Sequence, residues 1–155
     1  MKLLLENWRK YLKEEKRIIN SREEMEFIIT QDPDQVINID VEFGQTKAFG
    51  DEENPKPLPF NYGEYIHFIN PADNMGWDLV VSPSSPPEHK NLLPVGNISY
   101  VKDREDKTGN DKIIVAADGK FDNADKETID DFFDKLPQFN RVEWYSNPMV
   151  PKKES

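Results

Sequence analysis

The sequence predicts an α+β domain in which a small antiparallel β-barrel has its helices packed outside. About six short apolar or alternating segments are separated by polar, proline-containing loops, which is typical of small antiparallel barrels. Helical periodicity occurs in two segments before the first strand and in one before the last. Because few strands alternate with helices, a parallel sheet is not expected. The length of 155 residues suits one domain.

Residues 1–30 are predicted to form an N-terminal helical extension. The apolar side chains of the first predicted helix, over 3–19, share one stripe: Leu4, Trp8, Tyr11, Leu12 and Ile19. Ser21 and Glu24 then form a capping box that predicts a second helix over 22–30. Two interpretations of the first helix stay open. It packs on its own domain or on a neighbouring subunit, or it is a detachable recruitment helix.

Residues 31–147 are predicted to form the barrel domain, and 148–155 a mobile tail. The first strand of the domain is indicated by apolar residues that alternate with polar ones: Ile37, Ile39, Val41 and Phe43. Further strands are predicted at 65–69, 79–81, 92–101, 113–117 and 142–145. A helix capped by Asn123 or Asp125 is expected before the last strand, and Pro137 ends it.

Composition favours a protein that binds hard cations over one that binds nucleic acid. The formal net charge is −10, so attraction to a nucleic-acid backbone is not expected. Carboxylate oxygens are the ligands that magnesium and calcium prefer. Cysteine is absent, which excludes disulfides and thiolate zinc sites and is compatible with a reducing compartment. No apolar run approaches 18 residues, so we expect a soluble, cytoplasmic protein with no membrane partner.

Acidic residues recur in the predicted loops, beginning with Asp73 and Asp78. Two interpretations are open at this point: these loops bind cations, or they are the solvated loops of an acidic protein. Carboxylates gathered densely repel each other unless cations lie between them. An EF-hand is excluded, because Lys120 stands between Asp118 and Asp122 where a calcium ligand is required.

Several motifs in series resemble the family I soluble inorganic pyrophosphatases. Pro59–Gly63 resembles the family's proline–x–Asn-Tyr-Gly turn. Asp73–Leu79 resembles its signature of aspartate, small residue, aspartate, proline, apolar residue, aspartate and apolar residue. Similar segments follow in the family's order at 94–96, 109–116 and 129–133. The resemblance covers roughly 57–145. The opening residues, 1–8, are in addition similar to short amphipathic leaders on proteins of marine tailed phages.

The resemblance implies a closed five-stranded barrel of the oligonucleotide-binding (OB) type and Mg²⁺-dependent hydrolysis of pyrophosphate to two phosphates, with Mn²⁺ as a substitute. Asp73, Asp78 and Asp111 would bind the metal. Tyr62 and Lys112 would contact phosphate, and Lys47 matches an early substrate-binding lysine by position. The family commonly forms dimers or hexamers, so a homo-oligomer is also implied.

The chain departs from the family's pattern at the centre of the signature. Met75 replaces the middle aspartate, which orients or deprotonates the nucleophilic water, and a thioether cannot act as a base. Gly76 stands in place of the usual proline, and either Asn110 or Asp111 takes the position of the hairpin aspartate. Two functions are therefore expected. One is weakened hydrolysis, with a neighbour such as Asp73 acting in catalysis. The other is a catalytically inactive, pyrophosphatase-like binding module.

Overall fold

A computed structural model describes residues 16–49, 55–101 and 111–146, and in this part of the chain seven strands form one mixed sheet. The elements, in chain order, are β1 (Arg17–Ile18), α1 (Arg22–Gln31), β2 (Ile37–Val41), β3 (Asn61–Asn70), β4 (Met75–Val81), β5 (Leu92–Ile98), β6 (Lys112–Ala117), α2 (Asn123–Asp134) and β7 (Glu143–Trp144). The strand order is β1-β3-β4-β6-β5-β7, and β2 also pairs with β3. The α+β class is therefore confirmed.

The predicted closed antiparallel barrel of OB type is not confirmed. No pairing among the described residues joins β7 to β1 or β2, so the sheet there is open. Two strand pairs, β1 with β3 and β4 with β6, are parallel. The pair of β4 and β6 is parallel because β6 lies between β4 and β5 in the sheet. β6 runs antiparallel to β5, and this gives it the same direction as β4. Alternation along a strand does not encode which strand is its neighbour.

The two helices cover opposite faces of the sheet. Successive side chains of a strand point to opposite faces, and β4 shows this directly. Val80 packs in one buried cluster with Ile129 and Phe133 of α2. Leu79 packs in the other buried cluster, which contains Met25 of α1. The protein is thus layered as helix, sheet and helix, and each face of β4 has its own apolar core.

The second predicted helix is confirmed as α1, and the first is wrong at its C-terminal end. Ser21 caps α1 by accepting a hydrogen bond from the backbone N–H of Glu24 at 3.1 Å. Arg17–Ile18 form strand β1 instead of the end of a helix, and the N–H of Ile19 donates to the carbonyl of Ile69 at 3.0 Å. Pairing with the edge of β3 overrides the helical stripe here. Residues 1–15 lie outside the described residues.

Several elements begin earlier than the sequence predicts. β3 begins at Asn61 and β4 at Met75, so Asp78 lies inside a strand rather than on a loop. Helix α2 is capped by Asp122, which forms a reciprocal capping box with Asp125. Asn110, the alternative to Asp111, and the predicted tail at 148–155 lie outside the described residues. None of the described helices is long and apolar enough to cross a membrane.

Candidate functional site

Three neighbouring strands bring predicted site residues onto one face of the sheet. Tyr62 lies on β3, Asp78 on β4 and Lys112 at the start of β6, and β4 lies between the other two strands. Lys47 approaches the same face from the segment after β2, with its ammonium nitrogen 5.2 Å from the centre of the Tyr62 ring. We call Lys47, Tyr62, Asp78 and Lys112 the lysine–aspartate cluster.

Lys112 is the most deeply buried charge of this cluster. Its side chain is 2% exposed, and its Nζ lies 3.2 Å from Oδ2 of Asp78, which is 17% exposed. Four aromatic rings surround the ammonium at 5.2–5.7 Å from their centres: Phe49, Tyr62, Tyr100 and Phe139. Burial lowers the pKa of Lys112, and the charge of Asp78 opposes that shift. Asp78 and the ring faces thus stabilise an ammonium that has little access to water.

Tyr62 is a protonated phenol that forms a hydrogen bond with the carboxylate of Asp78. It is 3% exposed. Burial raises its pKa well above the usual value, and the charge and hydrogen bond of Asp78 raise it further. The hydroxyl therefore keeps its proton at neutral pH and can donate it in a hydrogen bond to an anionic oxygen.

The lysine–aspartate cluster has a net positive charge within an acidic protein. Lys47 and Lys112 give +2 and Asp78 gives −1, so the formal charge of these four residues is +1. The carboxylates of Asp73 and Glu64 beside the cluster add −2. The two ammonium groups share two aromatic rings, because Lys47 Nζ lies 5.2 Å from the Tyr62 ring and 5.5 Å from the Phe49 ring. Their proximity is unfavourable and lowers the pKa of Lys112. An oxyanion between them would relieve that repulsion.

Asp73 lies on the turn beside the cluster without a direct bond to it. Its Oδ1 accepts the backbone N–H of Met75 at 3.0 Å, and its charge contributes to the pKa shifts of Tyr62 and Lys112. Met75, which stands where the resemblance places the catalytic aspartate, is 59% exposed. The turn therefore brings one carboxylate near the cluster and presents a thioether to solvent.

Asp111 does not join the other two predicted metal ligands. It lies next to Lys112 in extended chain, so the two side chains point to opposite faces. Its Oδ2 accepts from Nε of Arg22, on α1, at 3.3 Å. Burial raises the pKa of Asp111, and Arg22 opposes that shift. The same guanidinium also binds Glu26 and the hydroxyl of Tyr145, each at 2.6 Å.

The Mg²⁺ site that the resemblance implies therefore does not fit as a set of three aspartates. In the described part of the chain, no three His, Cys, Asp or Glu side chains converge so that they could hold a metal ion. Asp78 lies in the cluster, and Asp111 binds Arg22 of α1. The charge of Asp73 acts on Tyr62 and Lys112 from the turn.

Glu64 is a site residue that the sequence reasoning missed. It is paired with Asp78 across β3 and β4 and shares a face with Tyr62. Burial raises its pKa, and the charges of Asp40, Asp78 and Asp73 raise it further. It lines a cleft of about 410 Å³ together with Met75 and other residues. The predicted turn ends at Gly63 and the predicted strand begins at residue 65, so Glu64 belongs to neither prediction. Extending the alternation back to Tyr62 would have found it.

No family model, curated protein or solved structure matches this chain. The resemblance to the family I pyrophosphatases rests on the motifs themselves, of which Pro59–Gly63 and Asp73–Leu79 contain the candidate site residues Tyr62, Asp73 and Asp78.

Proposed function

We propose that this chain binds pyrophosphate or a related phosphoanhydride together with Mg²⁺, and hydrolyses it to phosphate at a rate reduced by Met75. One observation carries the proposal: Lys47, Tyr62 and Lys112 converge beside Asp78. These are the residues to which the resemblance assigns contacts with phosphate and metal. They come from segments far apart in the sequence, so local chain geometry does not bring them together.

The chemistry of the cluster suits an anion that has several phosphate oxygens. Ammonium groups and a phenol donate hydrogen bonds to phosphate, and such bonds are stronger when one partner is charged. A phosphate oxygen would compete with Asp78 for Lys112, and the exchange would free the Asp78 carboxylate. Lys47 is less buried than Lys112 and can meet the anion first.

Mg²⁺ would enter with the anion rather than fill a preformed protein site. Magnesium is usually bound through one or two carboxylates plus the phosphates of the substrate. Asp73 and Asp78 would therefore be enough protein ligands for one Mg²⁺ ion bound with the substrate. When bound, it would supply charge neutralisation on the phosphate oxygens. Mn²⁺ offers the same coordination chemistry and is the expected substitute.

Release of inorganic phosphate from pyrophosphate tests the hydrolysis. We expect slow Mg²⁺-dependent release by the wild type and a loss of about tenfold or more in Asp78→Asn, because changing a group that supports a metal site typically costs about 10- to 100-fold in metal affinity or activity. Asp131→Asn, on the exposed side of α2, is the matched control and should behave as the wild type. Equal release by Asp78→Asn and Asp131→Asn, both folded, would contradict the proposal.

The second candidate is a pyrophosphatase-like binding module without turnover. It is favoured by the position of Asp111, which Arg22 holds on the opposite face, and by the exposed thioether of Met75. Calorimetry separates the two functions. Heat on mixing with Mg²⁺ and pyrophosphate, without phosphate release, supports the module. If the protein gives no heat of binding and releases no phosphate, both functions are excluded.

An OB-type fold, a homo-oligomer and a cytoplasmic location remain predictions that accompany this proposal. The first two follow from the resemblance to the family, and the third from the absence of cysteine. Sedimentation velocity measures the oligomeric state directly.

A further inference from the structure

We propose that Glu64 is the general base of this site and takes the proton of the attacking water, the role that Met75 cannot perform. This inference rests on the proposed hydrolysis of pyrophosphate. It differs from the sequence-based expectation, in which Asp73 was the neighbour that replaces the lost aspartate.

The strand pairing places Glu64 next to the cluster. In the register of β3 and β4, Glu64 lies directly opposite Asp78, and opposite side chains of an antiparallel pair have Cβ atoms about 4.5–5.5 Å apart. Tyr62 is two residues earlier on the same strand and therefore on the same face. Glu64 thus extends the row of Lys112, Asp78 and Tyr62 toward Met75, the first residue of β4.

Gly76 provides the space that the Glu64 carboxylate occupies. A Cβ atom at position 76 would lie 3.0 Å from Oε2 of Glu64 and 2.7 Å from the carbonyl oxygen of Tyr65. The contact with the Tyr65 carbonyl is closer than real Cβ atoms come, so a side chain at 76 would strain the pairing of β3 and β4. The Glu64 carboxylate would also have to shift by a few tenths of an ångström. The carboxylate therefore lies over the residue that follows Met75, where the family has proline.

Water can reach the carboxylate at this position. Glu64 lines an open cleft of about 410 Å³ together with Asn74, Met75 and Gly76. Asp73 is exposed to water as well, but its Oδ1 accepts the N–H of Met75, and it does not line this cleft. Glu64 is therefore the carboxylate that both pairs with Asp78 of the cluster and lines the cleft. The other residues of the cleft, which include Lys16, lie outside the cluster.

The reaction balances with Glu64 as base. The oxygen of water forms a bond to one phosphorus, and its proton moves to the Glu64 carboxylate. The bond between that phosphorus and the bridging oxygen breaks, and its electron pair stays with the leaving phosphate. Lys47 and Lys112 donate hydrogen bonds to the phosphate oxygens, and the proton on Glu64 passes to the leaving phosphate or to solvent.

Phosphate release by Glu64→Gln, Glu64→Gln/Met75→Asp and the control Glu127→Gln tests this role. We expect Glu64→Gln to lose about 10²-fold in rate while its calorimetric affinity for pyrophosphate with Mg²⁺ changes by no more than about threefold. Adding Met75→Asp should restore about tenfold or more of the lost rate, because it returns a carboxylate to the adjacent position. A merely structural role of Glu64 would not be rescued at residue 75.

Each other outcome overturns the inference in a recognisable way. Release by folded Glu64→Gln at the wild-type rate refutes the role of Glu64 and leaves the proposed function intact. Loss of rate without rescue by Met75→Asp refutes it as well. If the wild type binds pyrophosphate but releases no phosphate, no residue acts as a general base and the role of Glu64 is refuted. If the wild type neither binds pyrophosphate nor releases phosphate, the proposed function itself is refuted, and the role of Glu64 is refuted with it.

Discussion

Replacing Lys112 by Met tests how much the buried pair with Asp78 contributes to the free energy of unfolding. Lys112 is 2% exposed and its Nζ lies 3.2 Å from the carboxylate. Removing one partner of a buried ion pair costs about 3–5 kcal/mol, mostly because the other charge loses its partner. Asp78 is 17% exposed and keeps its hydrogen bond with Tyr62, so we expect the lower end, about 3 kcal/mol. Met fills most of the space among the rings, so little cavity cost is added.

A double-mutant cycle isolates the interaction itself. Asp78→Asn leaves a buried ammonium with only neutral partners and should cost as much as Lys112→Met or more. The variant with both substitutions should be more stable than the sum of the single losses predicts, by about 2 kcal/mol. Urea unfolding followed by tryptophan fluorescence measures all four proteins without screening the charges, as a guanidinium salt would. Losses that add within about 0.5 kcal/mol would refute the coupling.

Two further predictions concern pH and strand packing. Burial lowers the pKa of Lys112 below 10.5, so the unfolded chain binds more protons between the folded pKa and 10.5. The free energy of unfolding of the wild type should therefore rise relative to Lys112→Met as the pH rises through that range, and a constant difference in urea titrations would contradict this. Gly63→Ala places a Cβ in direct collision with the carbonyl oxygen of Asn38 on β2. It should destabilise the protein by about 1–3 kcal/mol, and an unchanged thermal midpoint would refute the close packing.

Local signals in the sequence predicted local structure well. Ser21 begins α1 because its side chain satisfies a backbone N–H at the helix terminus, and such a cap depends only on neighbouring residues. The alternation of Ile37, Ile39 and Val41 likewise predicted β2. Both signals act over a few residues, and both were read correctly apart from the ends of the elements.

The parts that failed depend on contacts between distant segments. Arg17–Ile18 continue a helical stripe in sequence, yet they form a strand because the edge of β3 offers backbone partners. Asp111 was grouped with the other aspartates by motif, but its position next to Lys112 directs it to the opposite face, where Arg22 binds it. Strand neighbours and the residue across a sheet are set by tertiary pairing, and one sequence does not encode them in its periodicity.

The candidate site shows the same division between motif and packing. The resemblance named Lys47, Tyr62, Asp78 and Lys112, which the structure brings together. It could not name Glu64, because the contact of that residue with Gly76 and its pairing with Asp78 appear only when β3 and β4 are aligned.

The most direct test of the account is a calorimetric titration of pyrophosphate with Mg²⁺ into the wild type, Lys47→Met and the control Lys126→Met. The charge-assisted hydrogen bond of Lys47 is worth about 1.5–3 kcal/mol, which corresponds to roughly 10- to 100-fold in affinity. We expect measurable binding by the wild type, a loss of that size in Lys47→Met, and wild-type affinity in Lys126→Met, which alters an exposed lysine of α2. No binding by the wild type, or equal affinity in all three proteins, would contradict it.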